Sequence, residues 1–242
     1  TYTRLMNLRD KASYDDFVAV AIPLRYGVLG IGYTYNGETK KMFVDDGNHF
    51  KIETDNYYLN IGYGIALQNV AVGLNVKAIA TDIKFSGVSG GTPLDYSDDG
   101  FTIPLDFGLL WNITPHLTFG LLYQNFNEPT LKLSDSKLRY VSNLRPGIAW
   151  RPNQSTTFSV EIYDLLNNTD DLYGRDISIG IEKKVNGHLT FRVGGYHINN
   201  SDIDMVTAGI GVSFSGWSFD YGVMSGSDIG DVLHLLSFGY KF

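Results

Sequence analysis

The stretch LHLLSFGYKF, residues 233–242, alternates strictly between two sets of side chains. In an extended strand, successive side chains point to opposite faces, so every second residue shares a face. The aromatic end and the apolar stripe facing outwards indicate the closing strand of a bacterial outer-membrane β-barrel. An ordinary half-buried C-terminal strand would explain a single occurrence. The stripe consists of Leu236, Phe238, Tyr240 and Phe242.

The same alternation recurs along nearly the whole chain, which favours the barrel over an isolated strand. With residues 17–25 and a weaker candidate at residues 2–8, the count is about fourteen, an even number as bacterial barrels require. The other segments are residues 29–35, 59–65, 70–76, 105–111, 117–123, 144–150, 158–162, 177–181, 189–193, 206–214 and 217–223.

Composition limits the remaining classes. The 242 residues contain no linker, so we expect residues 1–242 to form one barrel domain. No run of about 18 apolar residues exists, which excludes transmembrane helices but not strands of about 9–11 residues. The net charge of -7 argues against nucleic-acid binding, and the absence of cysteine excludes disulfides, thiol metal ligands and a cysteine nucleophile.

Three features distinguish a membrane barrel from a water-soluble β-sandwich, since both show period-two patterns. First, tight turns alternate with longer polar segments, predicted as loops at residues 36–55, 86–100, 127–140, 166–176, 199–204 and 225–232. Second, Trp111, Trp150 and Trp217 all lie on the apolar face close to short turns, as a membrane-interface girdle requires. Third, glycines and charges of both signs fill the opposite face, which suits a narrowing lumen.

Three prolines interrupt predicted strands, at Pro23, Pro104 and Pro146. A closed barrel has no free edge to accommodate a missing N–H group. We therefore expect these prolines near strand ends or at bulges.

Several motifs resemble successive hairpins of the FadL-like outer-membrane family, most similarly its PorV/PorQ branch. They are VAVGLNVKAIATDI (70–83), DFGLLWNITPHLTFGLLYQNF (106–126), LRPGIAWRP (144–152), SVEIYDLL (159–166), GIEKKVNGHLTFRVGGY (180–196), TAGIGVSF (207–214), FDYGV (219–223) and the terminal HLLSFGYKF. The resemblance implies a fourteen-strand barrel that moves hydrophobic compounds inward or, as PorV does, receives cargo at the type IX secretion translocon.

Members of that family carry an N-terminal plug segment ahead of the first strand. Here Thr1 stands almost at the first predicted strand. Either the plug lies outside this sequence or the barrel lacks one, so no gating mechanism is carried over from the family.

Charges predicted to face the lumen are the candidate functional residues. They could line a polar pathway or a ligand pocket, or they could pair across the interior and stiffen the wall, since unpaired buried charges are costly. These residues are Lys77, Asp106, Arg145, Glu161, Glu182, Lys184, Arg192 and Asp220.

Other polar clusters give weaker signals. The acidic pairs at 45–46, 98–99 and 170–171, with Asp95, could bind cations, but none matches an EF-hand loop. The five histidines show no local nucleophile–base–orienter pattern, so no enzyme, metal or cofactor is predicted. Gly-Ile-Gly at 30–32 and at 209–211 is followed by no helical segment, so these glycines belong to strands. The histidines are His49, His116, His188, His197 and His234.

The sequence thus predicts an all-β, integral outer-membrane barrel with short periplasmic turns, long extracellular loops and both termini in the periplasm. The leading function is passive transport of small or hydrophobic solutes. The alternative is a docking subunit for secreted proteins or a larger translocon, and a structural or adhesive surface protein is a third possibility. Expected partners are outer-membrane lipid, the barrel assembly machinery through the C-terminal strand, and a hydrophobic ligand or other envelope subunits.

Overall fold

The computed structural model describes residues 1–7, 13–45, 48–168, 175–196, 205–226 and 232–242, almost entirely as β-structure. The strands are β1 (Tyr2–Asn7), β2 (Ser13–Leu24), β3 (Gly27–Asp45), β4 (Asn48–Leu67), β5 (Val70–Ser89), β6 (Thr92–Thr102), β7 (Leu105–Thr114), β8 (Leu117–Gln124), β9 (Thr130–Lys132), β10 (Lys137–Arg139), β11 (Asn143–Asn153), β12 (Thr156–Tyr163), β13 (Asp176–Val185), β14 (Leu189–Tyr196), β15 (Met205–Phe214), β16 (Trp217–Gly226) and β17 (Val232–Tyr240).

Fourteen of these strands form one closed antiparallel barrel. The main sheet holds fifteen strands, but β6 pairs only with β5, and the β4–β5 pairing closes the ring of the other fourteen. The first and last strands meet at the seam, where Tyr2 lies opposite Phe238 and Arg4 lies opposite Leu236. Closure removes all free edges from the ring, as a membrane barrel requires. The described residues contain no helix long and apolar enough to cross a membrane.

The strand lengths differ from the prediction between residues 36 and 102. The segments 36–55 and 86–100 were predicted as loops, but residues 36–45, 48–55, 86–89 and 92–100 are paired strand: β3, β4 and β5 run 19, 20 and 20 residues. Their outer halves and β6 form a four-stranded extension, which we call the distal sheet, at residues 36–45, 48–56, 79–89 and 92–102. The prediction was wrong because no continuous apolar stripe marks these segments, and only the backbone pairing shows that they are strands.

The predicted loop at residues 127–140 also contains structure. It folds into the short hairpin β9–β10, and Leu131 on β9 is 1% exposed because it packs over Gly100 of β6. A Cβ atom at Gly100 would lie 2.5 Å from Leu131 Cδ2, so only glycine permits this close approach. The predicted loops at 166–176, 199–204 and 225–232 lie wholly or largely outside the described residues.

The three prolines occupy positions where a missing N–H is tolerated. Pro23 is the penultimate residue of β2, and Pro104 lies between β6 and β7. The Leu144 carbonyl accepts a hydrogen bond from the Leu165 N–H, so the backbone groups of Leu144 point toward β12. The backbone of Pro146, two residues further along, points to the same side, and the β11–β12 pairing begins only at Gly147. The expectation is confirmed for Pro23 and Pro104, whereas Pro146 lies inside β11, opposite Leu121 of β8.

Tight turns close the end of the barrel opposite the distal sheet. They occupy residues 25–26, 68–69, 115–116, 154–155, 186–188 and 215–216, and we call this end the short-turn rim. Asn186 and Gly187 both have positive φ, at 52° and 69°, as a type I′ turn demands.

Candidate functional site in the barrel interior

Alternate positions along the strands define two faces of the barrel wall. The apolar positions are exposed in the isolated chain, as at Leu74, Val206 and Ile179. The other positions include buried residues such as Asp106 and Thr190, and this face lines the interior. All eight charges predicted to face the lumen lie on this inner register, and every one of them belongs to an ion pair.

The most enclosed pair joins Lys77 on β5 to Asp106 on β7. The Lys77 Nζ lies 2.8 Å from Asp106 Oδ1, and the two side chains are 14% and 9% exposed. Asp106 also accepts hydrogen bonds from Asn75 Nδ2 at 3.1 Å and from the backbone N–H of Asn125 at 2.9 Å. Lys77 donates to Asn125 Oδ1 at 2.8 Å. These contacts join β5, β7 and Asn125, the residue that follows β8.

A second group joins β11, β12 and β8. Arg145 pairs with Glu161 on β12 and donates from Nη1 to Gln124 Oε1 at 3.3 Å. Its guanidinium also lies 5.0 Å from the centre of the Tyr163 ring, at cation–π distance.

The third group lies nearer the short-turn rim and is more exposed. Arg192 on β14 donates from Nε to Glu182 on β13 at 2.9 Å and from Nη1 to Asp220 on β16 at 2.6 Å. The guanidinium reaches Asp220 across β15 because Gly209 and Gly211 leave the inner face of that strand without side chains. Lys184 stands 3.7 Å from the already engaged Glu182.

Open space remains beside these groups. A cavity of about 820 Å³ is lined mostly by small and apolar residues, together with the polar side chains of Asn112, Arg145, Arg151 and Glu161. A Cβ atom at Gly108 would meet nothing within 4 Å, so glycine at this position widens the interior. A second cavity of about 490 Å³ lies toward the short-turn rim and includes Arg151, Lys184 and Arg192 in its wall.

The predicted aromatic girdle lies where the sequence places it. Trp111, Trp150 and Trp217 are all exposed on the outer register, one to a few residues from the short turns. Trp217 packs against Tyr240 at 4.3 Å between ring centres and against Phe238 at 5.0 Å. Their contact with membrane lipid stays a prediction.

The C-terminal signature takes part in closure with one difference from the prediction. Leu236, Phe238 and Tyr240 lie on β17 and face outward, whereas Phe242 lies beyond the strand end and is 86% exposed. The last backbone contact of this strand is the hydrogen bond from the Lys241 N–H to the Gly216 carbonyl.

The other sequence candidates have structural surroundings where they are described. His116 and His188 contact backbone carbonyls at short turns, and His234 contacts the Tyr221 hydroxyl at 2.8 Å. His197, Asp46 and the pair at 170–171 lie outside the described residues. In the part of the chain that is described, no three histidine or acidic side chains are grouped as metal ligands.

Asp98 of the predicted acidic cluster lies on the distal sheet and holds the neighbouring hairpin segment. Its carboxylate accepts hydrogen bonds from the Ser134 N–H at 2.9 Å and from the Ser134 hydroxyl at 3.0 Å. Burial acts to raise the pKa of Asp98, but these hydrogen bonds outweigh it and hold that pKa below its usual value.

Sequence reasoning missed the polar residues that complete these groups. Asn75, Gln124 and Asn125 all contact one of the eight predicted charges. Arg151 was missed because it immediately follows Trp150 at a strand end. Period-two register gives the signal for Asn75, Gln124 and Arg151, since each falls on the same face as the charges.

No curated protein matches the chain. Solved structures of similar shape include the Pseudomonas putida toluene transporter TodX (TM-score 0.69, 14% identity, 99% of this chain and 87% of that one). The Ralstonia pickettii toluene transporter TbuX is also similar (TM-score 0.66, 12% identity, 100% and 88%). A third is a Pseudomonas aeruginosa FadL homologue (TM-score 0.64, 12% identity, 95% and 78%). At these identities the likeness shows the fold alone.

A family model described as type IX secretion system membrane protein PorP/SprF matches residues 41–240. The match begins within β3 and ends at the last residue of β17, so it covers most of the closed ring and the distal sheet. This chain belongs to the PorP/SprF family.

Proposed function

We propose that this protein is a non-enzymatic outer-membrane barrel that serves as a docking subunit of a type IX secretion system. The observation that carries the proposal is the family match across residues 41–240, since that family is described as a membrane protein of this system. The resemblance to the PorV/PorQ branch, which implies receipt of cargo at the translocon, is a finer form of the same proposal.

The membrane placement follows from the two faces of the wall. The outer register meets lipid tails, and the tryptophans of the short-turn rim sit at one interface. The short turns and both ends of the chain then face the periplasm, while the distal sheet projects from the cell surface. The distal sheet supports a docking role because it adds contact surface beyond the rim.

A second function, passage of small or hydrophobic solutes, is favoured by one specific observation. The interior keeps a cavity of about 820 Å³ lined largely by small and apolar residues. Apolar cavities of this size accommodate small organic ligands. The charged groups of the lumen would then line a solute pathway in addition to stabilising the barrel wall.

Deletion of the gene, with comparison of two readouts, tests the proposal. We expect the deletion to reduce the proteins recovered in the culture fluid, and gene replacement to restore them. Gentle purification of the tagged protein from its own outer membrane should also recover secretion-system subunits in fixed proportion. An unchanged set of secreted proteins, together with a slower uptake of an apolar solute such as toluene, would refute docking and favour passage.

A further inference from the structure

The short-turn rim carries charge of one sign. The six turns, the three residues on either side of each and the last three residues of the sequence include Arg25, Arg151, Lys183, Lys184 and Lys241, and no Asp or Glu; Glu182 and Asp220 lie one position further from their turns. The whole chain holds 19 Lys and Arg against 26 Asp and Glu, so the remainder has 14 against 26. The barrel is therefore strongly polarised, with a cationic mouth at one end of an acidic molecule.

Two of these cations point into the lumen and share one cavity. Arg151 and Lys184 both line the space of about 490 Å³ near the short-turn rim. Arg151 donates from Nη1 to Thr118 Oγ1 at 3.0 Å, which places its side chain on the inner face. Lys184 lies opposite Thr190, a buried inner-face residue.

Arg151 and Lys184 both retain positive charge and N–H donors for a ligand in the cavity. Among the residues that the structure describes, no carboxylate lies within 4.0 Å of Arg151. Lys184 has only Glu182 at 3.7 Å, and that carboxylate already accepts from Arg192 at 2.9 Å. Arg192 is hydrogen-bonded to Glu182 and to Asp220, so its charge is compensated and it links the strands instead of binding a ligand.

Neutral hydroxyl groups in the wall suit an oxyanion, and the wall carboxylate, Glu182, is engaged by Arg192 at 2.9 Å. The hydroxyl residues Thr157, Ser159 and Thr207 line the same cavity. A guanidinium, an ammonium and neutral hydroxyl donors form the usual surroundings of phosphate and carboxylate groups.

The geometry favours a free anion in the lumen over a lipid headgroup. Headgroups lie against the outer face of the wall, where Lys183 already donates to Ser155 Oγ at 3.0 Å and to Thr156 Oγ1 at 2.9 Å. Arg151 and Lys184 lie on the opposite, inner face. We propose that these two residues form an oxyanion-binding site inside the short-turn mouth, for ligands of the phosphate or carboxylate class that enter from that end.

The inference does not depend on the docking role, because it concerns equilibrium binding and needs neither secretion nor passage. The test is isothermal titration of the full chain, in nonionic detergent without phospholipid, with inorganic pyrophosphate. We expect saturable binding that weakens by about tenfold or more in the Arg151→Gln/Lys184→Gln double variant, since two direct charge-assisted contacts are lost.

The matched control is Lys183→Gln, which removes the same charge at the neighbouring position but on the outer face. It should bind pyrophosphate like the parent protein. Equal weakening in the control and the double variant would show a general charge effect and overturn the site, as would no binding by the parent. Binding of short-chain phosphatidylglycerol in place of pyrophosphate would assign the cations to lipid and overturn it too.

Folding of each variant is checked by heat-modifiable electrophoretic mobility. If the double variant fails to fold, the single Arg151→Gln variant decides the question, because within the described part of the chain the Arg151 side chain makes one hydrogen bond, to a hydroxyl. Parental affinity in that variant would overturn the proposal, and a clear loss of affinity would support it.

Discussion

At the scale of single residues, burial separates ion pairs that support the fold from those that contribute little. Asp106 and Asp220 both face the lumen and both accept from a cation at under 3 Å. Their side chains differ in exposure, at 9% and 35%. The enclosed carboxylate of Asp106 also accepts hydrogen bonds from Asn75 and from the Asn125 backbone. Loss of this carboxylate therefore leaves several donors without an acceptor at once.

We predict that Asp106→Asn lowers the free energy of unfolding by about 2–3 kcal/mol, because it leaves Lys77 with an uncompensated, nearly buried charge. The matched variant Asp220→Asn should cost less than about 1 kcal/mol, as exposed pairs do. Equilibrium unfolding in urea, followed by tryptophan fluorescence in micelles, measures both. Equal effects at the two positions would contradict the role given to burial.

Glu128 gives a second prediction at this scale, beyond the rim of the barrel. It accepts from the Ser142 hydroxyl at 2.7 Å and from the Ser142 N–H at 3.2 Å, and it pairs with Arg139. The Ser142 hydroxyl, Arg139 and the Ser142 N–H together lower the pKa of Glu128 from 4.5 to about 2.

Since the folded pKa lies below the unfolded one, the stabilisation is complete above pH 4.5 and is lost as the pH falls toward about 2. We therefore expect the β9–β10 hairpin to lose hydrogen-exchange protection across that interval, after correction for intrinsic rates. In Glu128→Gln the protection should be lower near neutrality and should show no step. A step of the same size in this variant would assign the titration to another group.

At the scale of elements, the β9–β10 hairpin depends on one side chain. Leu131 is buried over Gly100, whereas Leu138, directly opposite it on β10, is 54% exposed. We predict that Leu131→Ala detaches the hairpin from β6, with a local cost of about 2–3 kcal/mol, and opens it to trypsin at Lys132 and Lys137. Leu138→Ala removes the same atoms from an exposed site and should leave cleavage rates unchanged. Equal cleavage of both variants would show that the hairpin does not depend on this contact.

The distal sheet shows, at the same scale, strands that the alternation of apolar and polar residues does not predict. The predicted strands ended at residue 35, began at residue 59 and ended at residue 76, because the alternation of apolar and polar residues weakens beyond those points. The backbone ladders nevertheless continue, as in the run of pairs from Asn36 opposite Asn56 to Met42 opposite Phe50. Hydrogen bonding between neighbouring backbones needs no apolar face, so composition cannot mark these segments.

At the scale of the whole molecule, closure between the first and last strands can be tested directly. The hydroxyls of Thr3 and Ser237 lie 2.9 Å apart across the β1–β17 seam, and the chain contains no cysteine. We predict that Thr3→Cys/Ser237→Cys forms an internal disulfide under mild oxidation, seen as a mobility shift on a non-reducing gel. The pair Thr3→Cys/Ser213→Cys should not cross-link, because Ser213 lies on β15, three strands away from β1. Efficient cross-linking in both, or in neither, would contradict the closed ring.

Insertion of the barrel into lipid gives the last prediction at this scale. The three tryptophans lie on the outer register near one rim, so brominated lipids should quench their fluorescence in reconstituted vesicles. Bromine near the headgroups should quench more strongly than bromine at the chain ends. Absence of quenching at any depth would contradict the girdle and the outward placement of the apolar register.

The sequence alone determined the local properties: the strands of the ring, their count, the outward face, the short turns and the inner position of eight charges. Each of these follows from a two-residue period, which neighbouring residues set among themselves. Only the tertiary structure decided which charges meet, as when Arg192 reaches Asp220 across β15, and how far β3, β4 and β5 extend. Those features depend on the register between strands distant in the chain, and ring closure selects that register.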